Sequence, residues 1–474
     1  MLTRVAASSG PFVGRAAELA ALERQYRRDG GAFVPVYGRR RVGKTELLLR
    51  FCRGKQAIYF AATQGTAPQQ LRSFMRTAAV ALGKALLAEV AVNDWDHAFE
   101  LVVREANPAK RLLLVLDEFQ WLCASAPELP SIIQKRWDHE WQRKRGPMLV
   151  VCGSYVGFME REVLGHKSPL FGRRTGQLQL RPLNFFEAGE FFPRWSREDR
   201  ARAWFTCGGV PAYLKAFSQD RSVDQNLIEA FLEVDSPLQR EAEFLLREEL
   251  RDVASYATVI EALAAGHAAP TALSKYAGLT VPRVMYFLNT LLELGYVERR
   301  LPLVPGRASK KLTRYVIGDP LLRFWFRFVA PHFSAIRQGP PSRVFQQLVQ
   351  PHLEPFYGAG FEALCREALP ALLRSERVVA DVQVGEFWNR DAQLDAVALR
   401  ADRWVELGEC KWGAPGSVAS VLSTLRTAAE AYPSRGLTVR YRLFTRRAVR
   451  VAAPPDVKLH DLDDLYDAVK MTQP

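Results

Sequence analysis

Short apolar runs alternate with longer amphipathic stretches through the first part of the chain. Runs of this length bounded by helices favour parallel strands with helices on both faces of the sheet. From about residue 183 the pattern becomes helical. The predicted strands of the first part are AFVPVYG (32–38), QAIYFAAT (56–63), RLLLVLDE (111–118) and GPMLVVCGS (146–154).

Residues 254–318 have a different order of predicted elements, with three helical stretches followed by a strand, a loop and a second strand. This order is typical of a winged helix. The third stretch, which would be the recognition helix, is apolar and offers mainly Arg283 and Asn289, so we expect contact with a nucleic-acid backbone rather than base reading. A purely connecting role stays open. The wing loop carries four cations, Arg307, Lys310, Lys311 and Arg314.

The rest of the chain returns to an α/β order, with a helix, three strand candidates, a helix and a last strand. The predicted fold class is therefore α/β, with a parallel-sheet core, a helical lid, a winged helix and a terminal α/β domain. We place the domains at 1–182 (phosphate-loop core), 183–250 (helical lid), 251–318 (winged helix), 319–349 (helical connector) and 350–474 (terminal α/β domain).

The charge and the cysteine content of the chain indicate which partners and which compartment to expect. The formal net charge is +14, and Lys and Arg number 65 against 51 Asp and Glu. Such a balance favours a polyanionic partner, with nucleic acid ahead of a membrane surface, although an Arg-rich composition alone would also produce it. The six cysteines are scattered, without a C-x-x-C pair. We therefore expect no disulfide framework or zinc site, and a cytoplasmic protein without membrane spans.

The stretch GRRRVGKT matches G-x-x-x-x-G-K-[ST] at every fixed position, after a strand and at the start of a helix. Glycines let such a loop curl around phosphates, the lysine neutralises their charge and the threonine hydroxyl offers a ligand to Mg²⁺. We therefore predict that ATP binds here. The predicted binding residues are Gly38, Arg39, Arg40, Arg41, Val42, Gly43, Lys44, Thr45 and Glu46.

Two acidic residues follow the buried strand LLLVL. Ligands bind at the carboxyl ends of parallel strands, so Asp117 is placed to hold Mg²⁺ through water and Glu118 to orient or deprotonate the attacking water. Asp117 alone could instead cap the next helix. Ser154, which ends LVVCGS, is either a sensor of the γ-phosphate or an ordinary turn serine.

The terminal domain holds a second candidate site in ELGECKWG. Side chains alternate along a strand, so Glu409 and Lys411 point the same way while Cys410 points into the core. Asp395 lies on a neighbouring strand candidate, and Glu362 on the preceding helix can add a third carboxylate. Such a set can bind Mg²⁺, and the lysine can stabilise developing charge on a phosphodiester. A surface ladder of ion pairs is the alternative interpretation.

Six ordered motifs, FVGRAAELAALE, the phosphate loop, LDEFQWL, CGSYVGFME, SPLFGRRTG and GGVPAYL, resemble the archaeal-type ATPase family of the AAA-related STAND group. The resemblance covers residues 10–235. It implies that Val13, Gly14 and Arg15 border the adenine. It further implies that Arg173 or Arg174 contacts phosphate or acts as an arginine finger, in cis or across the interface of a homo-oligomer. The expected lid residues are Gly208, Gly209 and Pro211.

The set Glu362, Asp395, Glu409 and Lys411 resembles the PD-(D/E)xK nuclease superfamily. Together with YVIGDPLLRFWFRF, the tail is similar to the uncharacterised, nuclease-like domain that often follows archaeal-type ATPases. One departure is Leu394, which stands where the name of the motif would put a proline. The resemblance implies a Mg²⁺-dependent endonuclease acting on DNA.

Three functions compete at this point. The first is an ATP-driven switch or motor coupled to Mg²⁺-dependent DNA cleavage. The second is a regulatory or signalling ATPase with an inert tail that binds DNA or protein. The third is a DNA-binding regulator that acts through its winged helix.

Overall fold

Two units make up the chain, residues 1–182 and residues 183–474. The computed structural model describes residues 12–472, so the first residues of the predicted core domain and the last two of the terminal domain lie outside the described residues. Within the described range, no helix is both long and apolar enough to cross a membrane. All six cysteines lie within this range and are free thiols.

A five-stranded sheet forms the centre of the first unit. Its strands are β1 (Ala32–Tyr37), β2 (Gln56–Ala61), β3 (Leu112–Asp117), β4 (Met148–Gly153) and β5 (Leu178–Gln179). They run parallel in the order β2-β3-β4-β1-β5. The predicted parallel sheet is confirmed. Sequence reasoning missed β5, because two residues carry no periodic pattern.

Helices bury both faces of this sheet. They are α1 (Ala16–Arg27), α2 (Lys44–Cys52), α3 (Ala67–Leu82), α4 (Trp95–Glu105), α5 (Phe119–Ser125), α6 (Leu129–Arg136) and α7 (Val156–Phe158). Along β3, Leu114 packs in one apolar cluster with Phe74 and Trp95, whereas Leu113 packs in another with Leu47. Every residue of β3 is buried. Burial on both faces explains why this strand reads as an unbroken apolar run.

The second unit begins with helices and continues into the winged helix. The first helices are α8 (Phe185–Gly189), α9 (Arg197–Cys207), α10 (Pro211–Leu214), α11 (Val223–Leu227) and α12 (Glu241–Glu249). The winged helix consists of α13 (Val253–Ala264), α14 (Pro270–Ala277), α15 (Val281–Glu293), β6 (Val297–Arg300) and β7 (Arg314–Ile317). Strands β6 and β7 pair antiparallel. The predicted winged helix is confirmed.

Short helices lead from the wing into the terminal module. They are α16 (Pro320–Phe324), α17 (Phe333–Gln338) and α18 (Pro341–Val344). The terminal module contains α19 (Leu353–Ser375), β8 (Val382–Trp388), β9 (Gln393–Arg400), β10 (Trp404–Lys411), α20 (Val418–Glu430), β11 (Thr438–Thr445), β12 (Val457–His460) and α21 (Leu462–Thr472).

The terminal module is built on a mixed five-stranded sheet in the order β12-β11-β10-β9-β8. Strands β8, β9 and β10 pair antiparallel, whereas β10, β11 and β12 pair parallel. The change of direction has a topological cause, because α20 crosses over between β10 and β11 and only such a crossover joins parallel neighbours. Neither β12 nor α21 was predicted from the sequence, and for β12 the reason is that VKLH is short and half polar.

Candidate functional site

The phosphate loop leaves β1 and enters α2, as predicted. Its backbone has positive φ at Gly38 (154°), Arg41 (68°) and Gly43 (93°). A Cβ atom on Gly38 would lie 2.2 Å from the carbonyl oxygen of Leu180, so only glycine fits there. A tightly curled loop that ends at a helix N-terminus is a geometry that accommodates phosphate groups.

Lys44 lies folded against its own loop. Its side chain is buried, with 5% exposure, and Nζ donates hydrogen bonds of 2.7 Å to the Gly38 carbonyl and 2.8 Å to the Arg39 carbonyl. Burial lowers the pKa of Lys44, and the nearby carboxylates Glu118 and Asp117 act in the opposite direction. The ammonium group is therefore held beside the loop by uncharged oxygens that an anionic ligand could replace.

Asp117 meets the predicted magnesium residue Thr45 at the end of β3. The Thr45 hydroxyl donates to Asp117 Oδ2 at 3.1 Å, and the Tyr59 hydroxyl donates to the same oxygen. The other oxygen accepts the backbone N–H of Glu118 at 2.9 Å. Burial, followed by the charge of Asp117, raises the pKa of Tyr59, which keeps this hydroxyl a donor. The structure thus brings together the two residues predicted to share Mg²⁺.

Glu118 is held by two side chains. Ser154 donates to Glu118 Oε1 at 2.9 Å, and the Gln120 amide donates to Oε2. The backbone of Glu118 is left-handed, with φ of 53°. Because β4 lies between β1 and β3 in the sheet, Ser154 at the end of β4 stands between the phosphate loop and Glu118. Ser154 therefore contacts the predicted catalytic carboxylate, and its role as a sensor stays a prediction.

Arg15 is buried, with 6% exposure, rather than lying on an open surface. Its guanidinium donates to the carbonyl of Val42 at 3.1 Å and to that of Arg181 at 2.6 Å. It therefore joins the start of α1 to the phosphate loop. Val13 and Gly14, also expected near the adenine, directly precede this position and are partly exposed.

Arg173 and Arg174 lie near the amino-terminal end of β1, whereas the phosphate loop follows its carboxyl-terminal end. Thr175 donates its backbone N–H to Phe33 at 2.8 Å, so this segment runs beside the first residues of β1, whereas the loop follows the last. The length of the strand, roughly 15 Å, separates the two. Arg173 forms a two-pronged ion pair with Asp138, at 2.7 and 2.9 Å. Contact of Arg173 with the phosphates of the same chain does not fit this conformation, whereas the charge of Arg174 reaches Tyr37 at the end of β1.

The predicted lid residues belong to the second unit, where packing explains their sequence. A Cβ atom on Gly209 would lie 1.7 Å from the carbonyl oxygen of Leu183. The two residues also share a backbone hydrogen bond of 2.7 Å. Gly208 has φ of 61°, and Pro211 begins α10. The GGVP motif thus forms a turn whose backbone packs directly against Leu183.

In the terminal module, Asp395 and Glu409 lie on neighbouring strands. The antiparallel register of these strands ends at the pair of Ala396 with Gly408, and Asp395 and Glu409 follow directly. Lys411 donates to Glu409 Oε1 at 2.6 Å, and the backbone N–H of Cys410 donates to Asp395 Oδ2 at 3.0 Å. Cys410 is buried, as predicted.

Glu362 on α19 adds to the same electrostatic cluster. Burial, followed by the charge of Asp395, raises the pKa of Glu362 to about 7. Burial also raises the pKa of Asp395, and burial together with Asp395 raises that of Glu409. Arg366 donates to the carbonyl of Asp395 at 2.6 Å and lies 3.9 Å from both Glu362 and Glu386. Three carboxyl groups therefore destabilise one another's charges.

The predicted set of three carboxylate ligands is not assembled around a single point. Within residues 12–472, no group of three or more His, Cys, Asp or Glu side chains is arranged to hold a metal ion. The physical reason is that cations already pair with these carboxylates, Lys411 with Glu409 and Arg366 with Glu362. Only Asp395 and Glu409 are presented together by neighbouring strands.

Comparison with known proteins shows which families this chain resembles. Residues 12–217 match the profile of an ATPase domain predominantly from Archaea. Residues 325–421 match a family of archaeal and bacterial proteins of unknown function, and residues 257–301 match an IclR helix-turn-helix domain. The uncharacterised protein MJECL04 of Methanocaldococcus jannaschii is 30% identical over 404 residues, which span 85% of this chain and 87% of that protein.

The chain belongs to the archaeal-type ATPase family. Among solved structures, the Walker-type ATPase PABY2304 of Pyrococcus abyssi is similar to this ATPase at 19% identity, covering 67% of this chain and 96% of the other, with a TM-score of 0.48. The ORC2 protein of Aeropyrum pernix has 17% identity, coverages of 73% and 94%, and a TM-score of 0.43.

Four residues of these two sites were not predicted from the sequence. Tyr59 lies in a strand whose inner residues are otherwise apolar, and Gln120 is two positions after Glu118. Arg366 on α19 and Glu386 on β8 lie beside each other at the second site. Only the polar Tyr59 and Gln120 beside a recognised motif gave any signal. Glu386 gave none, because a glutamate in an amphipathic strand is ordinary.

Proposed function

We propose that this archaeal-type ATPase couples ATP hydrolysis to Mg²⁺-dependent cleavage of DNA by its terminal module. One observation carries the proposal: Asp395 Oδ2 accepts the backbone N–H of Cys410, which lies between Glu409 and Lys411 on the neighbouring strand. Two carboxylates and a lysine brought together in this way suit a phosphodiester substrate.

In the ATPase half, each part of the site has a role. Lys44 would exchange the loop carbonyls for phosphate oxygens, to which its charge is better matched. Thr45 and Asp117, 3.1 Å apart, would hold Mg²⁺, which neutralises phosphate charge. Glu118 would accept a proton from the attacking water after it exchanges its bonds with Ser154 and Gln120 for that water. An arginine finger, if Arg173 or Arg174 supplies it, would act on a second copy of the chain.

In the terminal half, Asp395 and Glu409 would hold Mg²⁺, which lowers the pKa of bound water. The ammonium group of Lys411 would stabilise the negative charge that develops on the phosphate as the water oxygen bonds to phosphorus and a sugar oxygen leaves. The succession of a helix, three antiparallel strands, a crossover helix and a parallel strand supports the PD-(D/E)xK resemblance. So does the placement of Glu362, Asp395 and Glu409 on α19, β9 and β10.

Cleavage is tested by incubating the full chain with supercoiled plasmid and Mg²⁺ or Mn²⁺, followed by gel analysis of nicked and linear forms. Lys411→Ala and Asp395→Asn should each abolish nicking. Lys470→Ala, near the end of α21, is the control and should nick like the wild type. Absence of nicking by the wild type, or nicking that survives both site substitutions, removes the nuclease.

ATP turnover is tested separately by phosphate release and by binding of a fluorescent ADP analogue. Lys44→Ala should lose both turnover and binding. Glu118→Gln should lose turnover by at least about a hundredfold while it keeps binding, because the amide cannot accept the proton. Loss of binding in Glu118→Gln would contradict the role assigned to this residue.

A regulatory ATPase of the STAND type with an inert tail is the second candidate. It is favoured by the pairing of Glu409 with Lys411 and by the lack of a three-ligand group within residues 12–472. The plasmid assay separates the two functions, since an inert tail leaves DNA uncut while the ATPase half stays active.

A further inference from the structure

The wing of the winged helix is attached to the terminal sheet by both of its arms. On the outgoing arm, the backbone N–H of Leu303 donates to the carbonyl of Glu386 at 2.8 Å. On the returning arm, the carbonyl of Leu312 accepts a hydrogen bond of 3.0 Å from the indole of Trp388. Glu386 and Trp388 both belong to β8. The wing is therefore hydrogen-bonded to β8, which is the edge strand of the sheet that carries the carboxylates.

Side chains extend this junction toward the candidate nuclease site. Arg314 on β7 lies over the Trp388 ring at 4.6 Å and donates to Gln393 at 3.4 Å. Gln393 lies two residues before Asp395 on β9, and the two side chains form a hydrogen bond. A second contact between the wing and the sheet is the ion pair of Arg300 on β6 with Glu386 on β8, at 3.1 Å. The wing and the Asp395 edge thus form one continuous surface.

The tip of the wing, residues 304–311, carries three exposed cations, Arg307, Lys310 and Lys311. Within the described part of the chain, none of their side chains forms an ion pair. The recognition helix α15 offers much less charge, since its one arginine, Arg283, lies over Phe287 and within 3.9 Å of Asp252. Positive charge therefore concentrates on the wing rather than on the helix.

We propose that the wing and the Asp395 edge form a single binding surface for the backbone of duplex DNA. The wing tip contacts phosphates and leads one strand toward Asp395, Glu409 and Lys411. Binding is independent of base sequence, because long cations contact phosphates and the recognition helix takes little part. The cleavage aspect of this inference rests on the proposed function, but the binding aspect does not.

The test compares two triple charge reversals in the full chain. R307E/K310E/K311E alters the wing tip. R337E/R343E/R435E changes the net charge equally at exposed arginines elsewhere in the second unit. Binding to a fluorescein-labelled duplex is followed by fluorescence anisotropy with EDTA across a salt series, so that no cleavage is needed. Unchanged ATPase rates and melting temperatures show that both variants fold.

We expect the wing variant to bind the duplex at least tenfold more weakly than the wild type. Its plot of log affinity against log salt should be less steep by about 2–3, because each lost phosphate contact removes about 0.9 from the slope. The control should stay within about twofold of the wild type. Equal losses in both variants, or preferential binding of single-stranded DNA or RNA by the wild type, would overturn the proposal.

Failure of the inference and failure of the proposed function give different results. If plasmid is nicked and the wing variant nicks normally, the wing does not position the substrate and the inference is wrong. If no variant nicks but only the wing variant loses duplex binding, the binding surface stands and the nuclease does not.

Discussion

The hydroxyl of Ser154 donates a 2.9 Å hydrogen bond to the carboxylate of Glu118, across the end of β4. This contact joins the predicted sensor residue to the predicted catalytic base. A bound γ-phosphate would compete for the same hydroxyl. We therefore expect nucleotide binding and the orientation of Glu118 to be linked through Ser154.

Ser154→Ala should therefore lower kcat for ATP by about tenfold or more, because the base loses a positioning contact. The dissociation constant for ADP should change by less than about twofold. Turnover by phosphate release and binding by a fluorescent ADP analogue check the two values. Ser131→Ala, at an exposed position on α6, should leave both unchanged. An unaltered kcat in Ser154→Ala would show that the contact is incidental.

Gly38→Ala should destroy the phosphate loop. The added methyl group would meet the Leu180 carbonyl at 2.2 Å, and the backbone φ of 154° is unfavourable for alanine. We expect a loss of about 3 kcal/mol or more in the free energy of unfolding, together with loss of ATP binding. Gly54→Ala is the matched control, with φ of 74° but nothing within 4 Å, and should cost about 1 kcal/mol. Equal costs in a urea titration would contradict the steric argument.

The buried guanidinium of Arg442 should be critical for the terminal module. It pairs with Glu376 at 2.7 Å and Glu406 at 2.9 Å, and donates to His460 Nε2 at 2.8 Å. Burial, followed by the charge of Arg442, lowers the pKa of His460 to about 4, which keeps this ring a neutral acceptor. Arg442→Met would leave Glu376 without its cation and Glu406 with Arg400 as its remaining cation, and should cost about 3–5 kcal/mol.

The control for Arg442→Met is Arg426→Met, which breaks an exposed pair with Asp456. It should cost less than about 1 kcal/mol. Urea unfolding followed by far-UV circular dichroism compares the two variants. Similar costs would mean that the buried network contributes no more than a surface pair.

Glu367 should make stability depend on pH. Burial raises the pKa of Glu367 to about 7, from an ordinary value of 4.5. The folded state therefore keeps a proton that the unfolded state releases between these values, and stability falls as pH rises through this window. Glu367→Gln cannot ionise and should be more stable than the wild type by about 2–3 kcal/mol at pH 8, with a smaller difference at pH 5.

Urea titrations at pH 5 and pH 8 measure this difference. Glu430→Gln, at the exposed end of α20, should stay within about 0.5 kcal/mol of the wild type at both pH values. A pH-independent effect of Glu367→Gln would show that burial and the nearby charge of Glu187 do not raise the pKa of Glu367.

Four of the five strands of the first unit and the meeting of Thr45 with Asp117 could be predicted from the sequence, because a phosphate loop and an acidic strand end obey local rules. It could not place Arg173, whose distance from the loop depends on where β1 begins relative to Thr175. Nor could it reveal Tyr59, whose contact with Asp117 arises only once β2 and β3 pair.

In the terminal module, strand alternation was enough to place Glu409, Cys410 and Lys411 on their faces. The sequence also predicted that Asp395 lies on a neighbouring strand, but it could not give the antiparallel direction of that strand. The ion pairs of Arg366 and Glu386 were beyond sequence reasoning, since they depend on how α19 lies against the sheet and how the wing meets β8. These contacts also explain why three carboxylates do not converge.

The attachment of both wing arms to β8 has a mechanical consequence. A hinge between the three-helix bundle and the terminal sheet would need to break the bonds of Leu303 and Leu312 together, so the bundle and β8 should turn as one piece. A rotation of the bundle would then be passed directly to β8 and, through its pairing, to β9, which carries Asp395.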